Sequence, residues 1–146
     1  MKNKLQPNER LFVKSFSGAT VEDMSDYVRP TIRREPDMII LHAGTNDLRG
    51  EKTPDNIASD IMRLAIEMKT EKNEVMVSCL ISRGDKLNDK AMQVNNILKR
   101  ECEQHKMLLI EHSNILADKH LNGSKLHLNY RGTIALARNF LDNIKI

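Results

Sequence analysis

MIILHAGTNDLRG, residues 38–50, changes character in its middle. Met38, Ile39, Ile40 and Leu41 form an unbroken apolar run, the composition of a short strand that a sheet buries on both faces. The chain then turns through Gly44 and presents Thr45, Asn46 and Asp47, small polar side chains with hydrogen bonds to make. A buried strand opening into a polar loop is how parallel sheets build their working edge. The neighbouring segments therefore decide the fold.

Working outward, apolar periodicity switches repeatedly between two and 3.6 residues. RLFVKS (10–15), DMIILH (37–42), EVMVSCLI (74–81) and MLLIE (107–111) read as four strands. Thr20 with Asp23 three residues on makes a capping box for a helix. Pro30 breaks or kinks that helix, leaving a short second segment through Arg34. Thr53 followed by Pro54 is an N-cap with proline at the first helical position. The helix beyond it places Ile57, Ile61, Leu64, Ala65 and Met68 on one face. Leu87, Ala91, Val94, Leu98 and Cys102 mark the buried stripe of the next helix, over 87–106. Ile134, Ala137, Phe140, Leu141 and Ile144 mark that of the last. Strand and helix alternate throughout, so parallel pairing with helices on both faces is the economical solution: a doubly wound, three-layer α/β domain of flavodoxin-like type.

Composition narrows the function classes. The chain has 146 residues, enough for one domain with a real core, here expected over 10–146 behind a polar segment at 1–9. Net charge is +3 from 23 basic and 20 acidic residues mixed along the chain, a mildly basic surface and no phosphate-tracking stripe. Aromatics make up 3%, which argues against a stacking platform for nucleic acid in this segment. Cys79 and Cys102 lack metal or redox spacing and read as reduced, buried thiols. No apolar run reaches membrane-spanning length, and MKNKLQPNER is too polar for a signal peptide. The expected compartment is cytoplasmic. No phosphate-cradling glycine loop or metal-ligand spacing appears, and no cofactor is implied.

In such a sheet the site lies beyond the carboxyl ends of the strands. There the sequence puts Ser17 and Gly18; then His42, Gly44, Asn46 and Asp47; then Ser82, Arg83, Gly84 and Asp85; then His112 and Ser113, with His127 before the last helix. A free glycine N–H beside an Asn amide makes a donor pair for a developing oxyanion. A loop histidine suits a general base for a hydroxyl nucleophile. Arg83 and Asp47 are further candidates for substrate contact, against their simpler roles in holding a turn and shaping a loop.

In this order the residues resemble the later blocks of the SGNH (GDSL-like) hydrolase family. Gly18 in SFSGAT matches the block-two glycine, Gly44–Asp47 (GTND) the block-three motif, and His127 in LHLNYRG the block-five histidine. VKSFSGAT and DYVRPTIRREPDMIILHAGTNDL also look like the esterase-type domains of animal non-LTR retrotransposons. The resemblance implies ester hydrolysis through an acyl-enzyme on a small-molecule or lipid ester. It makes Gly18 and Asn46 oxyanion donors and His127 the general base.

Two departures qualify it. The family's nucleophile sits in a Gly-Asp-Ser block ending the first strand, and nothing in residues 1–17 reads that way. Ser15 and Ser17 lie too close to Gly18 to serve in register. The family commonly places Asp three residues before the histidine, where this chain has Ser124; Asp118 is out of register. The implied domain lacks its first strand, is incomplete at the N-terminus, and is expected to be inactive or part of a longer domain. The alternative expectation is a non-catalytic interaction module of a retrotransposon ribonucleoprotein.

Overall fold

The computed structural model describes residues 12–16, 18–124 and 126–144. The elements in chain order are α1 (Val21–Tyr27), α2 (Arg29–Arg33), β1 (Met38–Leu41), a 3₁₀ helix (Thr45–Arg49), α3 (Pro54–Met68), β2 (Glu74–Ser78), α4 (Asn88–Gln104), β3 (Leu108–Ile110), α5 (Ala117–His120) and α6 (Tyr130–Leu141). The three strands are parallel in the order β1-β2-β3, with Ile39 opposite Val75 and Val77 opposite Leu109. Helices lie on both faces.

Alternation along the strands sorts the two faces. Ile39, Leu41, Val75 and Val77 turn toward α1, α3 and α4, where Val21, Ile57, Ile61, Leu64, Ala91, Val94 and Leu98 complete one buried cluster. Of these helices, α3 and α4 present the stripes read from the sequence. Truncating a fully buried side chain such as Leu98 costs roughly 2–5 kcal/mol in a core of this kind. The opposite face carries Met76 and Ser78, and α6 reaches its carboxyl edge through Asn139 and Phe140, which touch His112 and His42.

Local signals work as expected at several element ends. Thr20 and Asp23 form the reciprocal capping box of α1, at 3.0 and 3.2 Å. Thr53 caps α3, with Pro54 at its first position. Pro30 separates α1 from α2 and sits in the first turn of the latter. Strands and helices are shorter than anticipated by one to three residues at their ends. β2 stops at Ser78, for instance, and α6 at Leu141, leaving Ile144 beyond the helix.

The strand expected over 10–15 is a correction. Residues 12–16 carry no regular structure, and Arg10, Leu11 and the polar segment 1–9 lie outside the described residues. A strand needs a ladder to satisfy its backbone, and no described strand lies beside β1 on the side away from β2. The segment is held by ring contacts instead. Phe12 lies under the Arg34 guanidinium at 4.9 Å, and Phe16 packs on Tyr27 at 5.0 Å. Phe12 and Val13 remain 60% and 79% exposed.

Candidate active site

The loop after β1 turns on Gly44, whose φ of +115° is open to glycine and strained for other residues. A Cβ there would also sit 2.8 Å from Ile61 Cδ1 and 3.1 Å from Leu80 Cδ2, so the loop rests directly on the core. Asp47, buried beneath it, accepts a hydrogen bond from the Val21 N–H at 3.1 Å and so ties the 3₁₀ helix to the start of α1. Burial raises the Asp47 pKa, against the opposing pull of that N–H and of Lys52. Lys52 stands 3.9 Å from Asp47 and 2.8 Å from Asp60, which holds its own pKa up. On the far side Lys90 donates to the carbonyls of Leu48 (2.9 Å) and Gly50 (3.2 Å).

Asn46 rides on this braced loop, exposed, and its Nδ2 donates to the Ala19 carbonyl at 2.9 Å. An amide nitrogen carries two hydrogens, so one N–H anchors the side chain and the other has no partner among the described residues. Gly18 adjoins Ala19 in a turn closed by Ala19 N–H donating to Phe16 O (3.1 Å), with φ +75° at the glycine. The fold thus brings Gly18 and Asn46 together from separate stretches of the chain. Asp47, by contrast, is occupied inside the scaffold.

His127 lies in the loop before α6, exposed, with its carbonyl accepting from Asn122 N–H at 2.8 Å. Its ring has no hydrogen-bond partner among the described residues. Ser124, at the position of the expected orienting Asp, bonds Asn122 and not His127. Arg83 is buried, and its guanidinium forks onto Asp85 at 2.9 and 2.6 Å. That pairing holds the Asp85 pKa down and ties up both groups within the loop after β2. Two surface grooves run beside helices, one along Met62, Ile66 and Ile97 and one along Val21, Lys52 and Asn56.

A second constellation sits at the carboxyl ends of all three strands, on the α6 face. Ser78 Oγ, fully buried, lies 2.7 Å from His42 Nδ1 and 2.6 Å from His112 Nε2. Asn139 Nδ2 donates to His112 Nδ1 at 2.9 Å and also pairs with Asn114. That contact leaves His112 protonated on Nε2, which donates to Ser78. The serine hydroxyl then donates to His42 Nδ1. Phe140 meets both rings edge-on, at 5.9 and 5.8 Å. Burial pushes both imidazoles down to about 4, so they are neutral at pH 7. Cys79, next in the chain, is pushed up to about 12 by burial and stays a thiol. Among the described residues no group of three or more His, Cys, Asp or Glu could hold a metal ion.

Comparison with known families decides the relationship. The model of the GDSL-like lipase/acylhydrolase family matches residues 2–133. This chain belongs to that family. Solved structures agree on the fold of this GDSL-like domain. A lipolytic G-D-S-L family protein from Veillonella parvula superposes with TM-score 0.74 at 20% identity, over 87% of this chain and 75% of its own. A lipase/acylhydrolase from Enterococcus faecalis gives 0.74 at 17%, over 87% and 71%. A catalytic mutant of an acetylxylan esterase from Geobacillus stearothermophilus gives 0.74 at 20%, over 89% and 69%. No curated protein matches the sequence.

Within this GDSL-like chain the Ser78 network is not visible as a sequence pattern, although His42 and His112 both fall at strand ends. The available signal is Ser78 itself. A hydroxyl inside the apolar run VMVSCL must find partners once buried, and strand-end histidines are the nearest side chains able to supply them.

Proposed function

We propose that this chain carries the oxyanion-binding and base elements of a serine ester hydrolase, and that its Gly18–Asn46–His127 site does not turn over esters without a nucleophile from outside the described residues. The Asn46–Ala19 hydrogen bond supports this reading above all, because it holds a side-chain amide with one spare N–H next to Gly18. Two such donors stabilise the charge that develops on an ester carbonyl oxygen. His127 fits the role of base in its family position, with Gly18 and Asn46 as donors. No described serine hydroxyl is bonded to it. The side of β1 away from β2, where no described strand lies, is where a further parallel strand would deliver one. Arg83 and Asp47, each paired internally, serve this site by holding its loops. The substrate class is a small-molecule or lipid carboxylic ester, and the reaction involves no cofactor.

The test is hydrolysis of p-nitrophenyl acetate by the purified chain, alongside His127→Ala and Asn46→Ala. The three are expected to share one rate. Wild-type turnover well above buffer, lost in His127→Ala, would sink the proposal.

A second reading, an interaction module of a retrotransposon ribonucleoprotein, draws on the exposed Phe12 under Arg34 and on exposed Val13 and Tyr27. It calls for salt-sensitive binding to RNA that survives Asn46→Ala.

A further inference from the structure

Ser78 has the parts of a nucleophile in a place the site above does not use. Its hydroxyl is the one described serine hydroxyl bonded to imidazole, and it bonds two. A nucleophile–base pair within hydrogen-bond reach, with a third group orienting a ring, is the general arrangement for covalent catalysis. Here the base-side contact is Ser78 to His42 at 2.7 Å, and the oriented ring is His112, fixed by Asn139 at 2.9 Å. Ser78 closes β2, and His42 and His112 lie one and two residues past the ends of β1 and β3, so all three strands deliver a group to one point.

We propose that Ser78, with His42 and His112, forms a second, latent acyl-accepting centre that takes small acyl groups from activated esters when Phe140 turns aside. The hydroxyl is closed off in this structure, and Phe140 is the ring that packs edge-on against both of its imidazole partners. It sits on the final turn of α6, one residue from the end of the helix. Terminal turns open at low free energy compared with strands. The space freed is that of one phenyl ring, which limits the acyl group to a small one.

In the step itself, Ser78 Oγ attacks the ester carbonyl carbon while its proton passes to His42 Nδ1. The His112 Nε2–H, already aimed at Oγ, stabilises the tetrahedral oxyanion. The bond to the alcohol oxygen breaks, and the proton on His42 transfers to that leaving group. Water then attacks the Ser78 ester with His42 as base, releasing the carboxylic acid and restoring the hydroxyl. Both imidazoles are neutral before the step, as a base and a neutral donor must be. Asn139 is a positioning residue: it sets which nitrogen of His112 carries the proton.

The experiment treats the full chain at pH 7 with a small fluorophosphonate, which loses fluoride on attack, and locates the adduct by peptide mass mapping. A single adduct on Ser78 is expected in the wild type. His42→Gln should slow its formation roughly a hundredfold or more, the share a general base supplies. Phe140→Leu should speed it. Asn139→Asp, which accepts the Nδ1–H and moves the lone pair to His112 Nε2, should leave labelling in place when combined with His42→Gln. Each variant is compared at matched near-UV circular dichroism; if His42→Gln fails that check, His42→Asn replaces it. An adduct elsewhere, no adduct on Ser78, or a rate indifferent to His42 overturns the proposal. Because the readout is the position of the adduct, it is independent of ester turnover at the Gly18–Asn46 loop.

Discussion

The carboxyl edge of the sheet holds two polar regions built on opposite terms. On the α1 side, Gly18 and Asn46 are exposed, braced from behind by Asp47 and Lys90, with one Asn46 amide N–H unbonded among the described residues. On the α6 side, Ser78, His42, His112 and Asn139 satisfy one another in a closed chain. Spare hydrogen-bonding capacity at a rigid, wet position is what a ligand can use. The same capacity in a dry position must be consumed internally, because an unpaired buried polar group is costly. Perturbing the α6 side should therefore register mainly in stability, and perturbing the α1 side mainly in binding.

The sharpest break is His112→Ala. It removes a nearly buried ring, leaves a cavity under Phe140, and strips a partner from Ser78 and Asn139 together. The combined loss is expected at roughly 3–4 kcal/mol, adding a cavity cost to that of stranded polar groups. Urea unfolding measures it. A loss below about 1 kcal/mol would mean the network is not closed as described.

How much of this contrast is legible in the sequence follows from what each feature rests on. The cap of α1, the Thr53-Pro54 start of α3 and the buried stripes of α3 and α4 depend on residues a few positions apart, and they are readable. Gly18 and Asn46 are named together by the family resemblance, and what the fold adds is a hydrogen bond from Asn46 to Ala19, the residue after Gly18. The strand expected over 10–15 does not form because periodicity reports a strand's face but not whether a ladder partner exists. The Ser78 network depends on side chains 36 and 34 residues apart in sequence, meeting only after β1, β2 and β3 align. No local pattern encodes that register.

Acid titration sharpens the same contrast. In the folded chain His42 and His112 protonate near pH 4; unfolded, they protonate near the ordinary 6.5. Between those values the unfolded state binds more protons, so stability is full above about pH 6.5 and falls as pH drops toward 4. Each ring contributes up to roughly 3 kcal/mol, because a tenfold change in proton affinity is worth about 1.36 kcal/mol. Asp47, whose pKa burial raises, works in the opposite sense at the low end of the window. The comparison is therefore between wild type and His112→Gln, followed by thermal melting from pH 7 to 4.5. The variant's curve should be flatter by about one ring's contribution. Parallel curves would show that these imidazoles are not the titrating groups.

The α1 side should respond in the reverse manner and by less. Asp47→Ala removes the acceptor for Val21 N–H and the partner of Lys52, and should cost about 1–2 kcal/mol, in the range of a lost helix cap. Asn46→Ala gives up one exposed hydrogen bond to the Ala19 carbonyl and should cost at most about 0.5–1 kcal/mol. Its neighbour is thus the stabilising residue, although Asn46 is the one proposed to meet a ligand. Amide hydrogen exchange at Val21 separates the two variants: protection is lost in Asp47→Ala and kept in Asn46→Ala. If Asn46→Ala proved the more destabilising, its amide would be fastening the loop to Ala19 as a structural clamp, and its spare N–H would be incidental.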